Sequence, residues 1–427
     1  MMSGSLAHAQ LLRGGLGGVA GLPGQLLNGS TVQQVQHATA VVGDLGLGPV
    51  TEGLDAPSLL DLRHRRLRSL IQANRSQLEA DRAGNPIRRG EVIAIDLNPV
   101  DRARAEAAGF RHLREEAQPD LGLTMTVFAP PKGATAVRGL DLIRALVPNG
   151  VFELNHVFEP AGDGLGAYAA ASARAAPLGS AEAGRPIGMI DGGVAGHSCL
   201  TSAAIEQRGF APGGPKPTGH GTAIASLLVG SDGVFAGAAR GHPLLVADVY
   251  GGQAAAGSAE AIVAALDWLA QRKAVVVNIS LVGPPNRLLQ RGVEAMRARG
   301  ILVVAAVGND GPAAPPLYPA SYPGVVAVTA VDAHDRALIE AGHASHVDFA
   351  APGADMAAAT PGRGYSIVRG TSYAAPLVTA RLASVGGNPD QALAALTAEA
   401  KPGKGAVGRG VVCGACRNDP RRLALQK

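Results

Sequence analysis

Ser372 stands in "VRGTSYAAPLV" (368–378), between a Gly-Thr pair and a helix-like run that carries a proline four residues later. The segment alone allows two readings. Ser372 caps a helix whose first turn is 373–377, with Pro376 where a missing N–H costs little. Alternatively, it is a nucleophile held at the positive end of that helix. A serine hydroxyl attacks well only when a neutral imidazole takes its proton, and the imidazole needs a carboxylate to orient it. A further group must donate to the oxygen that becomes negative. The chain offers a candidate for each role. Asp191 closes "IGMID", His220 lies between Gly219 and Gly221 in "TGHGTAIASLLVG", and Asn309 closes "VVAAVGN". Taken singly, these are equally a turn or cap aspartate, a structural histidine entering a helix, and a turn asparagine.

The elements around them follow from apolar patterning. From 185 onward, "PIGMID", "HPLLVADVY", "AVVVNISL", "ILVVAAVGN" and "GVVAVTAVDA" read as strands, and "SAEAIVAALDWLAQRK" and "NRLLQRGVEAMRARG" as helices. Near-continuous apolar strands imply a sheet covered on both faces. The expected fold is therefore α/β, a mostly parallel sheet with helices on both faces. Ligand sites in such sheets gather at the carboxyl ends of strands, where Asp191, Asn278, Ser280 and Asn309 all fall.

Upstream, "EVIAIDL" (91–97) reads as a strand, and "NPVDRARAEAAGF" as a helix with Asn98 as cap, Pro99 at its first position and Gly109 near its stop. With a strand near 111–116, "LTMTVFAP", the helix "ATAVRGLDLIRALV" and "GVFELNHVFE", this makes a small β-α-β-β-α-β, ferredoxin-like module. The expected division is a low-complexity stretch over 1–56, an amphipathic helix and linker over 57–84, the module over 85–160, a small-residue linker open to proteolysis over 161–184, an α/β domain over 185–405 and a cysteine-containing tail over 406–427. Gly15 to Ala20 formally fits a dinucleotide fingerprint, but neither a strand before it nor an amphipathic helix after it is evident. A nucleotide-dependent enzyme therefore has little support.

In order along the chain, "MIDGGV", "GHGTAIAS", "VVNISL", "AAVGNDG" and "GTSYAAP" resemble the successive signature segments of the subtilisin-like serine peptidases, including the order Asp, His, Ser. The likeness runs from about 185 to 400. It implies a serine endopeptidase in which Asp191 orients His220, His220 is general base and then general acid, and Ser372 forms the acyl-enzyme. Asn309, with the Ser372 backbone N–H, would make the oxyanion hole. Substrate would pair as an added strand with "SLVG" (Ser280, Leu281, Val282, Gly283), and "AAVG" (Ala305, Ala306, Gly308) would help line the pocket. Two positions depart from the family: Val282 stands where glycine is usual, and Gly192 where serine or threonine is common. The resemblance also implies that the 85–160 module is a propeptide, an intramolecular inhibitor whose release by self-cleavage within 161–184 would make the chain a zymogen. The contrasting reading is a catalytically silent pseudo-protease that only binds peptides.

Net charge is +4, with both signs interspersed and no basic stripe interleaved with aromatics, which argues against nucleic acid as a partner. Aromatic residues are only 3% of the chain, so its core must be built from small aliphatic side chains. No stretch reaches the length of a membrane span. Polypeptides are the expected partners and no cofactor is required. Calcium binding is common in the resembling family, but no Asp/Asn run has calcium-loop spacing, so no metal ligand is assigned. "SLAHAQ" ends in Ala7-His8-Ala9, like the tail of a signal-peptide cleavage site, and suggests a secreted or periplasmic protein. Cys199, Cys413 and Cys416 leave the pairing open between a local bridge in "CGAC" and one from Cys199 to the tail.

Overall fold

The computed structural model describes residues 55–161, 184–362 and 364–423. The readings made on 1–54 and 162–183 lie outside the described residues. A seven-stranded sheet carries the C-terminal domain. Across it run Phe349–Pro352, Val326–Val331, Leu302–Ala306, Val276–Ile279, Ile187–Asp191, Leu244–Asp248 and Ile205–Gly209. Every neighbouring pair is parallel. The first strand, Ile187–Asp191, is interior, and later strands are added to either side of it, four on one side and two on the other, so the winding reverses there. Such reversals open a crevice at the strand carboxyl ends.

Alternation of side chains splits the core in two. Met189, Val246, Val304 and Ala306 face the helices Gly219–Val229 and Thr371–Val385. Ile190, Ala247, Val303 and Ala305 face Ala259–Gln271 and Arg287–Ala298. The α/β reading holds, although the strands Ile205–Gly209, Phe349–Pro352, Met356–Ala359 and Tyr365–Val368 and the helix Pro389–Glu399 are additions to it.

The upstream module has the expected β-α-β-β-α-β order. Its antiparallel strands lie Val151–His156, Pro86–Ile95, Leu123–Ala129, Arg111–Gln118 across the sheet. The first helix is capped as read, with Asn98 accepting from the Asp101 N–H at 2.9 Å and Pro99 opening the helix. Ile93, Ile95, Met125 and Val127 turn away from the module's own helices and join the core cluster of Ala259–Gln271 and Arg287–Ala298. One boundary shifts: Leu78–Ala80, inside the expected 57–84 linker, pairs with Pro86–Arg88 and belongs to the module.

The tail is not an appendage. Val411 and Val407 pack with Val331 and Ala350, and the Asn418 side chain bonds both the N–H and the carbonyl of Ala236. Cys413 and Cys416 form a disulfide, whereas Cys199 is free and buried, with its thiol pushed up to about 11 by burial. The alternative of a bridge from Cys199 to the tail is therefore excluded. No helix among the described residues is long and apolar enough to cross a membrane.

Candidate active site

The sheet ends and two helix starts bring the candidate residues together. Asp191 is the last residue of the strand Ile187–Asp191 and is 1% exposed. Its Oδ1 accepts the Gly192 N–H at 2.7 Å, and its two oxygens lie 3.0 and 2.8 Å from His220 Nδ1. A carboxylate only accepts, so Nδ1 carries the proton and the Nε2 lone pair faces away. His220 is held in the first turn of Gly219–Val229, which Thr218 caps by accepting from the Gly221 N–H at 2.9 Å. Thr218 also explains one departure from the family pattern. A Cβ on Gly192 would come within 2.4 Å of the Thr218 hydroxyl, so the space a serine or threonine would need is taken.

Ser372 is not a helix cap. The cap position is Gly370, without a side-chain bond, and Thr371 and Ser372 are the first two helical residues. Gly370 has φ 137°, and a Cβ there would lie 2.6 Å from Asn309 Nδ2, so both conformation and space exclude a side chain. Pro376 is deeper in the helix than the first-turn edge where the sequence reading put it. Its missing N–H deprives the Ser372 carbonyl of its i+4 donor. The Ser280 hydroxyl substitutes, donating to the Ser372 carbonyl at 3.0 Å, and itself accepts from Asn278 Nδ2. Ser372 Oγ and His220 Nε2 are both buried and neither has a hydrogen-bond partner. The imidazole packs against Tyr373, the next residue after the serine, at 5.8 Å between ring centroids. Within the triad, only the Asp191–His220 pair is hydrogen-bonded in this structure.

Asn309 reaches the same spot from the loop after Leu302–Ala306. Its Oδ1 accepts the Thr371 N–H at 2.9 Å, which fixes the amide orientation, and Nδ2 donates to the Ala161 carbonyl. The cleft is thus filled by the chain's own segment. Glu159–Pro160 pairs antiparallel with Leu281–Val282, and the Ala161 N–H donates to the Ser280 carbonyl at 2.8 Å. Phe158 is fully buried; it bonds the Gly257 carbonyl through its N–H, and its carbonyl accepts from the Tyr250 hydroxyl. Its ring occupies the space beside Gly283, where a Cβ would come within 2.5 Å.

Of the expected cleft residues, Ser280 to Gly283 line the bound strand. Val282, in the position where glycine is usual, is 5% exposed and tolerates a partner strand. Ala306 shares a core cluster with Ala161 and Val282, Ala305 lies on the opposite face of the sheet, and Gly308 abuts Val282 and Leu317. Sequence reasoning did not single out Phe158, Ala161, Asp248 or Asp310. Asp248 lies beside Asp191 in register; burial first, and the Asp191 charge in addition, push it up, while the Lys216, Tyr250 and Gly251 N–H groups oppose that. Among the described residues no three His, Cys, Asp or Glu side chains converge as metal ligands.

The Subtilase family profile (Peptidase_S8) matches residues 185–400. Subtilisin Savinase of Lederbergia lenta is 33% identical over 209 residues, spanning 47% of this chain and 76% of that protein. An alkaline protease of Alkalihalobacillus alcalophilus is also 33% identical, but the chain spans only 54% of its length. The crystal structure of fervidolysin from Fervidobacterium pennivorans superposes with a TM-score of 0.63 over 76% of this chain and 60% of that one, at 20% identity. That likeness concerns the fold, and it extends over more of the chain than the family profile does. Half of the sequence fits one profile, and the matched half contains the whole parallel sheet that gathers these side chains; the chain belongs to the subtilase family of serine endopeptidases.

Proposed function

We propose that the protein is the zymogen of an endopeptidase that cuts through Asp191, His220 and Ser372, with Asn309 as oxyanion donor, and that it cleaves itself at the Ala161–Gly162 bond. The observation that carries this reading is the Asn309 amide on the Ala161 carbonyl, at the end of a strand paired with Leu281–Val282. An amide donor aimed at one carbonyl in the cleft marks that carbonyl as the one to be attacked. Phe158, Glu159 and Pro160 then occupy the subsites before the cut, and the module over 85–160 is the inhibitor that delivers them.

In the mechanism, Ser372 Oγ adds to the Ala161 carbonyl carbon while its proton passes to His220 Nε2. The negative oxygen is held by Asn309 Nδ2 and the Ser372 N–H, one of the four leading N–H groups of its helix that make no i−4 bond. His220 then gives the proton to the leaving Gly162 nitrogen, and water enters by the reverse sequence to free the Ala161 carboxylate. The Cys413–Cys416 bridge supports an exported, oxidising setting.

Mass spectrometry of the purified, matured protein tests the reading. A new N-terminus at Gly162 is expected, and a mature enzyme beginning anywhere else removes the site assignment. Fluorophosphonate labelling that fails while peptides still bind would instead make the chain a peptide-binding pseudo-protease. Asn309→Ala is expected to lower kcat about 10²- to 10³-fold with little change in KM, a magnitude borrowed from subtilisin itself. Steady-state kinetics on a fluorogenic peptide reads this out, and a change confined to KM would place the amide outside the transition state.

A further inference from the structure

The helix Ala56–Ala73 precedes the inhibitor-like module and has no part in the function proposed so far. It is capped by Asp55, which accepts the Ser58 N–H at 3.0 Å, and its buried residues Leu59, Arg63 and Leu67 recur every four positions, one stripe of a helix. The stripe does not face the module alone. Leu59 lies on the turn after Asn309, so close that a Cβ on Gly311 would come within 2.8 Å of it. Arg63 Nε donates to Asp310 Oδ2 at 3.0 Å, and Arg66 Nη2 to Asp310 Oδ1 at 2.9 Å. Arg66 also reaches both oxygens of Glu159, at 3.3 and 3.4 Å, within the strand that fills the cleft. Further along, Leu70 packs with Leu78 of the module and Ala255 of the enzyme domain.

Asp310 is 5% exposed, and both of its cations come from this helix. A buried carboxylate that loses its partners is strongly destabilising, so the helix is held where it is. Arg66 in turn separates two carboxylates, Glu159 on the bound strand and Asp310 on the cleft wall, that would otherwise repel. We propose that Ala56–Ala73 is a latch, in which Arg66 ties the strand 159–161 to the wall beside the oxyanion amide and makes the segment before the module a second inhibitory contact. This rests on the zymogen reading above. The latch acts in both stages: it holds the Ala161 carbonyl in register before the cut, and it delays departure of the cut strand afterwards.

The test uses the full-length chain carrying Ser372→Ala, so that occupancy of the cleft is read without any cutting. Hydrogen exchange at Ala161 and at 281–282 is compared with and without Arg66→Ala. Arg66 is 41% exposed and partly screened, so exchange there is expected to rise about fivefold, with no change in Leu302–Ala306 or in the module strand Leu123–Ala129. Glu159→Gln should act in the same direction and add little on top of Arg66→Ala, and Arg66→Lys should restore part of the protection. In the catalytically intact chain, Arg66→Ala should shorten the interval between disappearance of the full-length band and the rise of peptide hydrolysis. Unchanged exchange at Ala161 and at 281–282 overturns the latch, as does a rise spread evenly over the module, which would mean that the helix only supports the fold. Failure of the zymogen reading looks different: the unmodified chain then never acquires an N-terminus at Gly162, whatever Arg66→Ala does to exchange.

Discussion

Full-length protein carrying Ser372→Ala is expected to stay a single uncut chain, to lose fluorophosphonate labelling, and to hydrolyse peptides about 10⁶-fold more slowly, a magnitude borrowed from subtilisin. The structural argument is that Ser372 opens the helix Thr371–Val385 beside the His220 and Tyr373 rings, and the preceding Thr371 N–H donates to the Asn309 side chain. Misfolding does not confound this result. Ser372 Oγ is buried without a hydrogen-bond partner, so its removal leaves no orphaned group and relieves one. The melting temperature of the variant should therefore match or exceed that of a chain kept uncut by an irreversible inhibitor. Normal processing of purified Ser372→Ala protein would remove self-cleavage from the account.

The second large effect concerns the carboxylate. Asp191→Asn keeps the shape of the side chain, yet activity is expected to fall about 10⁴-fold, the scale known for the equivalent change in a serine protease of unrelated fold. The geometry here says which way the new amide would turn. Asp191 Oδ1 accepts the Gly192 N–H at 2.7 Å, and the asparagine must keep its oxygen on that donor. Its NH₂ then points at His220 Nδ1, which has to become an acceptor, and the ring proton moves to Nε2, where it blocks uptake of the serine proton. Asp248 cannot step in, because its oxygens are taken by the Lys216, Tyr250 and Gly251 N–H groups. Kinetics on the variant check this, with KM expected to hold; a loss under tenfold would mean that the carboxylate does not set the tautomer.

What the sequence made legible is what repeats locally. Apolar runs such as "IGMID" and "LLVAD" announced strands buried on both faces, and the Asn98–Pro99 pair announced a helix start that the structure places at the same residues. The candidate side chains were legible because three of them end strands or open helices, where backbone geometry leaves a side chain aimed into the crevice. Contacts between distant segments were not. Nothing in 159–161 distinguishes Ala161 from its neighbours until Leu281–Val282 offers it an edge to pair with. Asp310 was not singled out because its partners, Arg63 and Arg66, lie more than 240 positions away. The contacts of the tail were hidden for a related reason. Its short polar stretches carry no period, and Val411 and Asn418 find their partners only in the finished fold. Pro376 was misplaced because a local reading assumes that a helix must supply its own hydrogen bonds, whereas here Ser280, 92 positions upstream, supplies the missing one.

That last contact has a mechanical meaning. Ser280 offers its carbonyl to the incoming strand and its hydroxyl to the main chain of Ser372. The seat and the striker are therefore gauged from one shared datum. When thermal motion shifts the cleft wall, it carries both along, and the error in their spacing does not accumulate through the long run of chain between them.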